Sequence, residues 1–160
     1  MSSGSEECGV LCCMALLERA VADAYARAAE SASDPAIRAA LEFISADSAK
    51  HARVLSSLGR DVQCSPQGCG RLMGELWLKE MEAAGRVRDL DGLLSSYDEV
   101  SSLECAAGEE YSTQAYVKAY EMLHERPSEI VSDLLRMISE DEGRHSRLLS
   151  MIRAAHSGSG

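Results

Sequence analysis

Much of what builds a β protein or a membrane protein is scarce in this chain. Aromatic residues make up only 4% of the 160 residues, and there are three prolines. No run alternates β-branched with polar residues, so strands have no obvious seed. No apolar run approaches the roughly 20 residues that span a bilayer. Basic excess is missing too: the formal net charge is −10. Phosphate binding needs clustered Lys and Arg, so nucleic acid is excluded as an expected partner and an anionic membrane surface is disfavoured. The N-terminus has no basic stretch leading into an apolar one, and the expected location is cytoplasmic. What remains is dominated by Ala, Leu, Ser, Glu and Arg. That composition favours helices, so an all-α fold is expected, as a single domain spanning 1–160 and large enough to bury a core.

Start signals divide the chain into helices. A first long helix is expected from about Ser5 to Ala32. "SDP" then supplies a cap, Asp34, and a proline at the first helical position, Pro35. The second helix runs to about Leu58. A loop rich in Gly, Pro and Cys leads to "RLMGELWLKEMEAAG", a short amphipathic helix carrying the single Trp. Its Met73, Leu76, Trp77 and Met81 form an apolar stripe, with two uses open: capping the bundle end or a dimer contact. "DLDG" breaks or kinks the chain. A third long helix is expected from about Leu93 to Glu125, and "RPSE" opens a fourth at Pro127 that reaches about Ala155. The result is two helical hairpins, 5–58 and 91–155, joined by a crossover over 59–90.

The hairpins repeat one another. The second helix has an apolar stripe at Ile37, Leu41, Ile44, Ser48, His51, Leu55 and Leu58. The fourth has one at Val131, Leu135, Ile138, Glu142, His145, Leu149 and Ile152. Both advance by alternating steps of four and three, which is the core face of a helix. Both are interrupted by polar residues at the same two places. The first helices of the hairpins also match, with Glu18 and Glu109 each followed seven residues later by a Tyr, Tyr25 and Tyr116, on the same face.

An ionised carboxylate inside a core is costly unless it is paired or binds a metal. The inward set is Glu18, His51, Glu109, Glu142 and His145, with at least one member near the middle of each long helix. Glu and His three residues apart share a face and can converge on one ion. Carboxylate plus imidazole suits iron, manganese or zinc. The competing reading is a metal-free bundle in which Glu–His pairs form a buried polar network.

These residues carry a resemblance. Glu18, "DSAKH", Glu109 and "DEGRH" resemble the ferritin-like superfamily, and its rubrerythrin-type branch more than cage ferritins. The resemblance covers both hairpins and not the crossover. It implies an antiparallel four-helix bundle, here with an extra short helix in the crossover between helices two and three. It also implies two iron ions, chemistry with peroxide or oxygen of the peroxidase or ferroxidase kind, an electron-donor protein as partner, and a homodimer. Carried over by position, Glu18 and His51 hold one ion, Glu109 and His145 the other, and Glu142 bridges. A sixth ligand, a Glu, is expected at position 48, where this chain has Ser48. That departure leaves open a pair of ions, a single ion, a different metal, or none. Tyr25 and Tyr116 are candidate proton or electron donors beside the ligands, and equally candidates for plain core packing.

Six cysteines stand apart from this set: Cys8, Cys12, Cys13, Cys64, Cys69 and Cys105. Three readings are open: a zinc site drawing on Cys8, Cys12, Cys64 and Cys69, disulfides, or buried thiols. Cys64 and Cys69 do not form the paired Cys-x-x-Cys knuckles of a rubredoxin-type iron site. His124 and His156 lie near helix ends and carry no expected chemistry.

Overall fold

The computed structural model describes residues 3–59, 64–102 and 128–158, with side chains from residue 9 onward. Every regular element among the described residues is helical: α1 (Ser3–Ser31), α2 (Pro35–Gly59), α3 (Pro66–Met73), α4 (Glu75–Arg86), α5 (Leu90–Ser95) and α6 (Glu129–Gly158). Residues 97–102 are helical as well. No helix among the described residues is long and apolar enough to cross a membrane.

The caps explain where the helices begin. Asp34 accepts hydrogen bonds from the Ala36 and Ile37 amides at 2.8 and 3.1 Å, satisfying two donors that the first turn of α2 leaves orphaned. Arg38 reaches back to the Ala32 carbonyl and closes the end of α1. Ser128 caps α6 through the Val131 amide at 3.1 Å, so α6 begins at Glu129; the expected start at Pro127 lies outside the described residues. So does most of the third long helix, with Cys105, Glu109, Tyr116 and His124.

The crossover holds more helices than the one expected. Gly74 adopts φ 87°, a left-handed conformation that costs a residue with a Cβ about 1–2 kcal/mol. It therefore splits the anticipated helix into α3 and α4. Asp89 caps α5 through the Gly92 amide at 2.7 Å, which is the break that "DLDG" signals. Trp77 is buried, but Leu76 is exposed, so the inward stripe of α4 runs through Trp77 rather than Leu76.

The crossover is tied to α1 by polar contacts as well as by packing. The Trp77 indole donates to the Cys13 carbonyl at 3.0 Å. Arg27 donates to the Val87 and Ala84 carbonyls at 2.8 and 3.0 Å, satisfying the C-terminal end of α4. The Leu90 amide donates to Ser31 at 2.7 Å. Cys12 is joined to Cys64 and Cys13 to Cys69 in disulfides. Of the three cysteine readings, disulfides describe this state; the zinc set that drew on Cys8 does not.

Partner residues fix the directions of the long helices. Ser45 of α2 donates to the Ala22 carbonyl of α1, while His51 faces Glu18, so numbers rise on one helix as they fall on the other. In the same way His51 faces Asp141 while Asp47 faces His145. Hence α2 runs antiparallel to both α1 and α6.

Two apolar clusters fill this frame. One gathers Leu11, Met14 and Leu17 with Leu55, Leu135 and Ile138. The other gathers Tyr25 and Ala28 with Leu41, Ile44, Leu149 and Ile152. Each fully buried Leu or Ile contributes roughly 1.5–3 kcal/mol relative to exposure. On each of α1, α2 and α6, the residues between the clusters are polar and buried: Glu18, Ser48 and His51, and Asp141, Glu142 and His145. The bundle thus carries one polar layer between two dry ones.

Candidate metal centre

Two imidazoles lie at the centre of the polar layer. His51 and His145 are fully buried, with ring centroids 5.9 Å apart and planes inclined by 26°. Glu142 stands between their inner nitrogens. Its Oε1 lies 3.2 Å from His51 Nδ1, and its Oε2 lies 3.7 Å from His145 Nδ1. Glu18 approaches from α1, its Oε2 3.5 Å from His51 Nδ1. Of the five expected ligands the structure brings these four together; Glu109 lies outside the described residues.

The distances allow a test of whether the donors suit an ion. Two ligands each about 2.1 Å from one metal sit about 3.0–3.4 Å apart. The 3.2 and 3.5 Å spacings around His51 Nδ1 match that range within a small rotation. One donor atom from each of Glu18, His51 and Glu142 falls within 4.8 Å of the others. Oxygen and imidazole donors in a water-poor layer suit iron, manganese or zinc, so the residues present fit a metal.

The outer nitrogens are fixed by two aspartates that the apolar stripes do not single out. His51 Nε2 lies 2.8 Å from Asp141 Oδ2, and His145 Nε2 lies 3.1 Å from Asp47 Oδ2. An ionised carboxylate can only accept, so each Nε2 carries the hydrogen and each Nδ1 faces inward. The arrangement is an exchange between repeats. The Asp of "DSAKH" serves the His of "DEGRH", and the Asp of "DEGRH" serves the His of "DSAKH". Lys50 donates to both aspartates, at 2.9 Å to Asp47 and 3.1 Å to Asp141, and Arg144 adds a further ion pair to Asp141.

The electrostatics follow from these contacts. Burial works against ionisation of Asp141, but hydrogen bonds from His51 and Lys50 overcome it and hold its carboxyl below the usual range. Asp47 is lowered in the same way, burial being outweighed by Lys50 and His145. Burial alone would lower His51. Its hydrogen bonds to Glu142 and Glu18, the charge of Glu18, and Asp141 reverse this and push it up to about 10. Without metal, a proton holds the place between Glu18 and Glu142.

A cavity of about 50 Å³ adjoins the layer, walled by apolar residues of α1, α4 and α5 and reached by Glu18, Glu142, Tyr25 and Glu80. Tyr25 is 2% exposed, and its ring belongs to the second apolar cluster; Tyr116 lies outside the described residues. Glu80 of α4, 4% exposed, is a buried acid outside the expected set. The available signal was its spacing, three residues beyond Trp77 and four before Ala84, on the buried face of α4. Ser48 is wholly buried on the α2 face that carries His51.

The model of the family described as Rubrerythrin matches residues 18–153. The chain belongs to the rubrerythrin family. That family is ferritin-like, helical and di-iron, in agreement with the all-helical described residues and with a Glu–His–Glu group able to hold a metal. The match begins at Glu18 and ends beyond His145, and unlike the residues that first suggested the resemblance, it spans the crossover. No curated protein and no solved structure shows a significant match to the chain.

Proposed function

We propose that this rubrerythrin-family protein holds a pair of non-haem iron ions and is an oxidoreductase acting on peroxide or oxygen. Glu18 and His51 hold one ion, His145 and Glu109 the other, and Glu142 lies between. The observation that carries this reading is the disposition of Glu142. Each of its oxygens faces the Nδ1 of a different imidazole, and each imidazole is held from behind by an aspartate. Buried His–Asp pairs of this kind fix the ring and raise ligand basicity. When bound, iron supplies electron transfer to the oxidant.

The remaining roles belong to the chain itself. Asp141 and Asp47 orient the imidazoles. Lys50 offsets the charge of both aspartates where they face each other across α2 and α6. The two apolar clusters keep bulk water out. The cavity beside Glu18 and Glu142 has room for a small oxidant, and Tyr25 on its wall is the candidate proton or electron donor. Cys64 and Cys69 are engaged in disulfides, and an electron-donor protein is the partner this reading calls for. A homodimer in the cytoplasm completes the reading.

Reconstitution with ferrous iron under anaerobic conditions tests it. The expected result is about two ions per chain, and near-ultraviolet oxo-bridge absorption after oxidation. Failure to bind any metal would leave the second reading, a metal-free bundle with a structural or interaction role. One observation favours that rival: Ser48 stands, fully buried, in place of a carboxylate.

A further inference from the structure

Four cysteine sulfurs meet at the end of the first apolar cluster, apart from the Glu–His layer. Cys12 and Cys13 come from consecutive positions of α1. Cys64 and Cys69 come from the segment that opens the crossover and from α3. The Sγ atoms of Cys13, Cys64 and Cys69 lie within 4.8 Å of one another although they belong to two different disulfides. Cys12 Sγ is outside that group of three but is bonded to one of its members, Cys64. We propose that these four cysteines are a second metal site: reduced, they hold one zinc ion as four thiolates, and oxidised, they release it and form the two disulfides.

The geometry supports both states. A tetrahedral zinc with bonds of about 2.3 Å to sulfur spaces its four sulfurs about 3.8 Å apart. The sulfurs of Cys13, Cys64 and Cys69 already lie within 4.8 Å of one another, and Cys12 is attached through its bond to Cys64. Side-chain rotation that turns the Cys12 sulfur towards the other three would convert one arrangement into the other. Contacts that do not involve sulfur keep the segments together when the disulfides are cut. The Trp77 indole still reaches the Cys13 carbonyl, and Arg27 still holds the end of α4.

Chemistry selects the ion. Cys13 and Cys69 are 1% and 0% exposed. Buried thiolates are costly without a compensating cation, and soft thiolate donors favour zinc over the hard ions. Cys64 and Cys69 have four residues between them, within the range of a zinc knuckle, but the adjacent Cys12 and Cys13 do not form one, so the pairing of Cys13 with this set is visible only once the fold has brought α1 and the crossover together.

The switch balances with hydrogen peroxide as oxidant. Forming two disulfides removes four electrons from the four thiolates and frees Zn²⁺. Two peroxide molecules accept those electrons and take four protons from solvent, leaving four water molecules.

Cobalt(II) titrated into the anaerobically reduced full-length protein tests the proposal. Thiolate ligation gives intense sulfur-to-cobalt bands in the near ultraviolet, which the sulfur-free Glu–His centre cannot give. The outcome is therefore independent of the iron reading. The expected result is one such ion per chain, and loss of the bands in Cys64→Ser/Cys69→Ser. In the zinc form, two peroxides should release one zinc and consume four thiols. Cys12→Ser, which leaves three donors, should weaken zinc binding at least about tenfold, and it guards against a double variant that fails to fold. Absence of the bands in the wild type, or equal bands in the folded double variant, would overturn the site.

Discussion

Replacing Asp141 with Asn keeps the size and shape of the side chain and removes the charge that holds His51 from behind. The substitution replaces the charged acceptor of a 2.8 Å hydrogen bond from a fully buried imidazole with a neutral amide, and it removes the 3.1 Å ion pair to Lys50. Removing a partner of this kind from a metal-bound His costs about 10–100-fold in metal affinity, or about 1.4–2.7 kcal/mol. The metal-free protein should also lose stability, by up to about 1.5–3 kcal/mol, because a hydrogen bond to a charged group becomes one to a neutral group in a buried place. The asparagine can turn its amide towards Nε2, in which case the ring changes tautomer and Nδ1 acquires the hydrogen. Metal affinity then falls further. Isothermal titration with ferrous or cobalt ion reads the affinity, and urea denaturation of the metal-free form reads the stability. Asp47→Asn is the crossed control: it should weaken the ion held by His145 while leaving the His51 ion nearly unchanged. If Asp141→Asn lowers stability and leaves affinity untouched, the aspartates are structural and do not orient metal ligands.

Ser48→Glu restores the carboxylate that the family resemblance leads one to expect at this position. It should raise metal affinity or stoichiometry, read by metal analysis, while destabilising the metal-free protein by roughly 1–3 kcal/mol, because the added atoms enter a filled layer. No change in binding would refute the placement of Ser48 at the centre. His51 gives opposite pH trends with and without metal. Its pKa is raised from 6.5 to about 10, so its charged contacts stabilise the metal-free fold fully below about 6.5, and that stability is lost as pH rises through about 10. Metal must displace the same proton, so affinity should rise about tenfold per unit over that window. Thermal melts and metal titrations at matched pH check the two slopes, and parallel slopes would contradict the assignment. Gly74→Ala meets no neighbour but must adopt φ 87°, so it should destabilise by about 1–2 kcal/mol in denaturant without altering metal content. No loss would mean that α3 and α4 can join.

What was legible in the sequence follows from what a helix's own periodicity encodes. The stripes of the second and fourth helices named the buried residues of α2 and α6 well, down to Ser48, His51, Glu142 and His145, because burial on one face is a property of one helix. The Asp34–Pro35 start was legible because capping is local. The aspartates were not, for a reason that is geometric. Asp47 lies about 100° around the helix from Ser48, and from α2 alone it points away from the stripe. Its partner is on α6, and only the antiparallel pairing brings the two together. One clue was present: both motifs carry Asp four residues before His, and a repeat that preserves a residue off its buried face hints at a use for it on another helix. Glu80 and the place of Cys13, rather than Cys8, in the sulfur cluster were hidden for the same reason, since both depend on where the crossover lies against α1. The crossover therefore does more than connect the hairpins. It brings a buried carboxylate to the cavity beside the candidate centre and two cysteines to α1. Glu18 lies only five residues beyond Cys13 on α1, less than two turns of one helix, so the crossover and the metal layer are anchored on the same short stretch of α1.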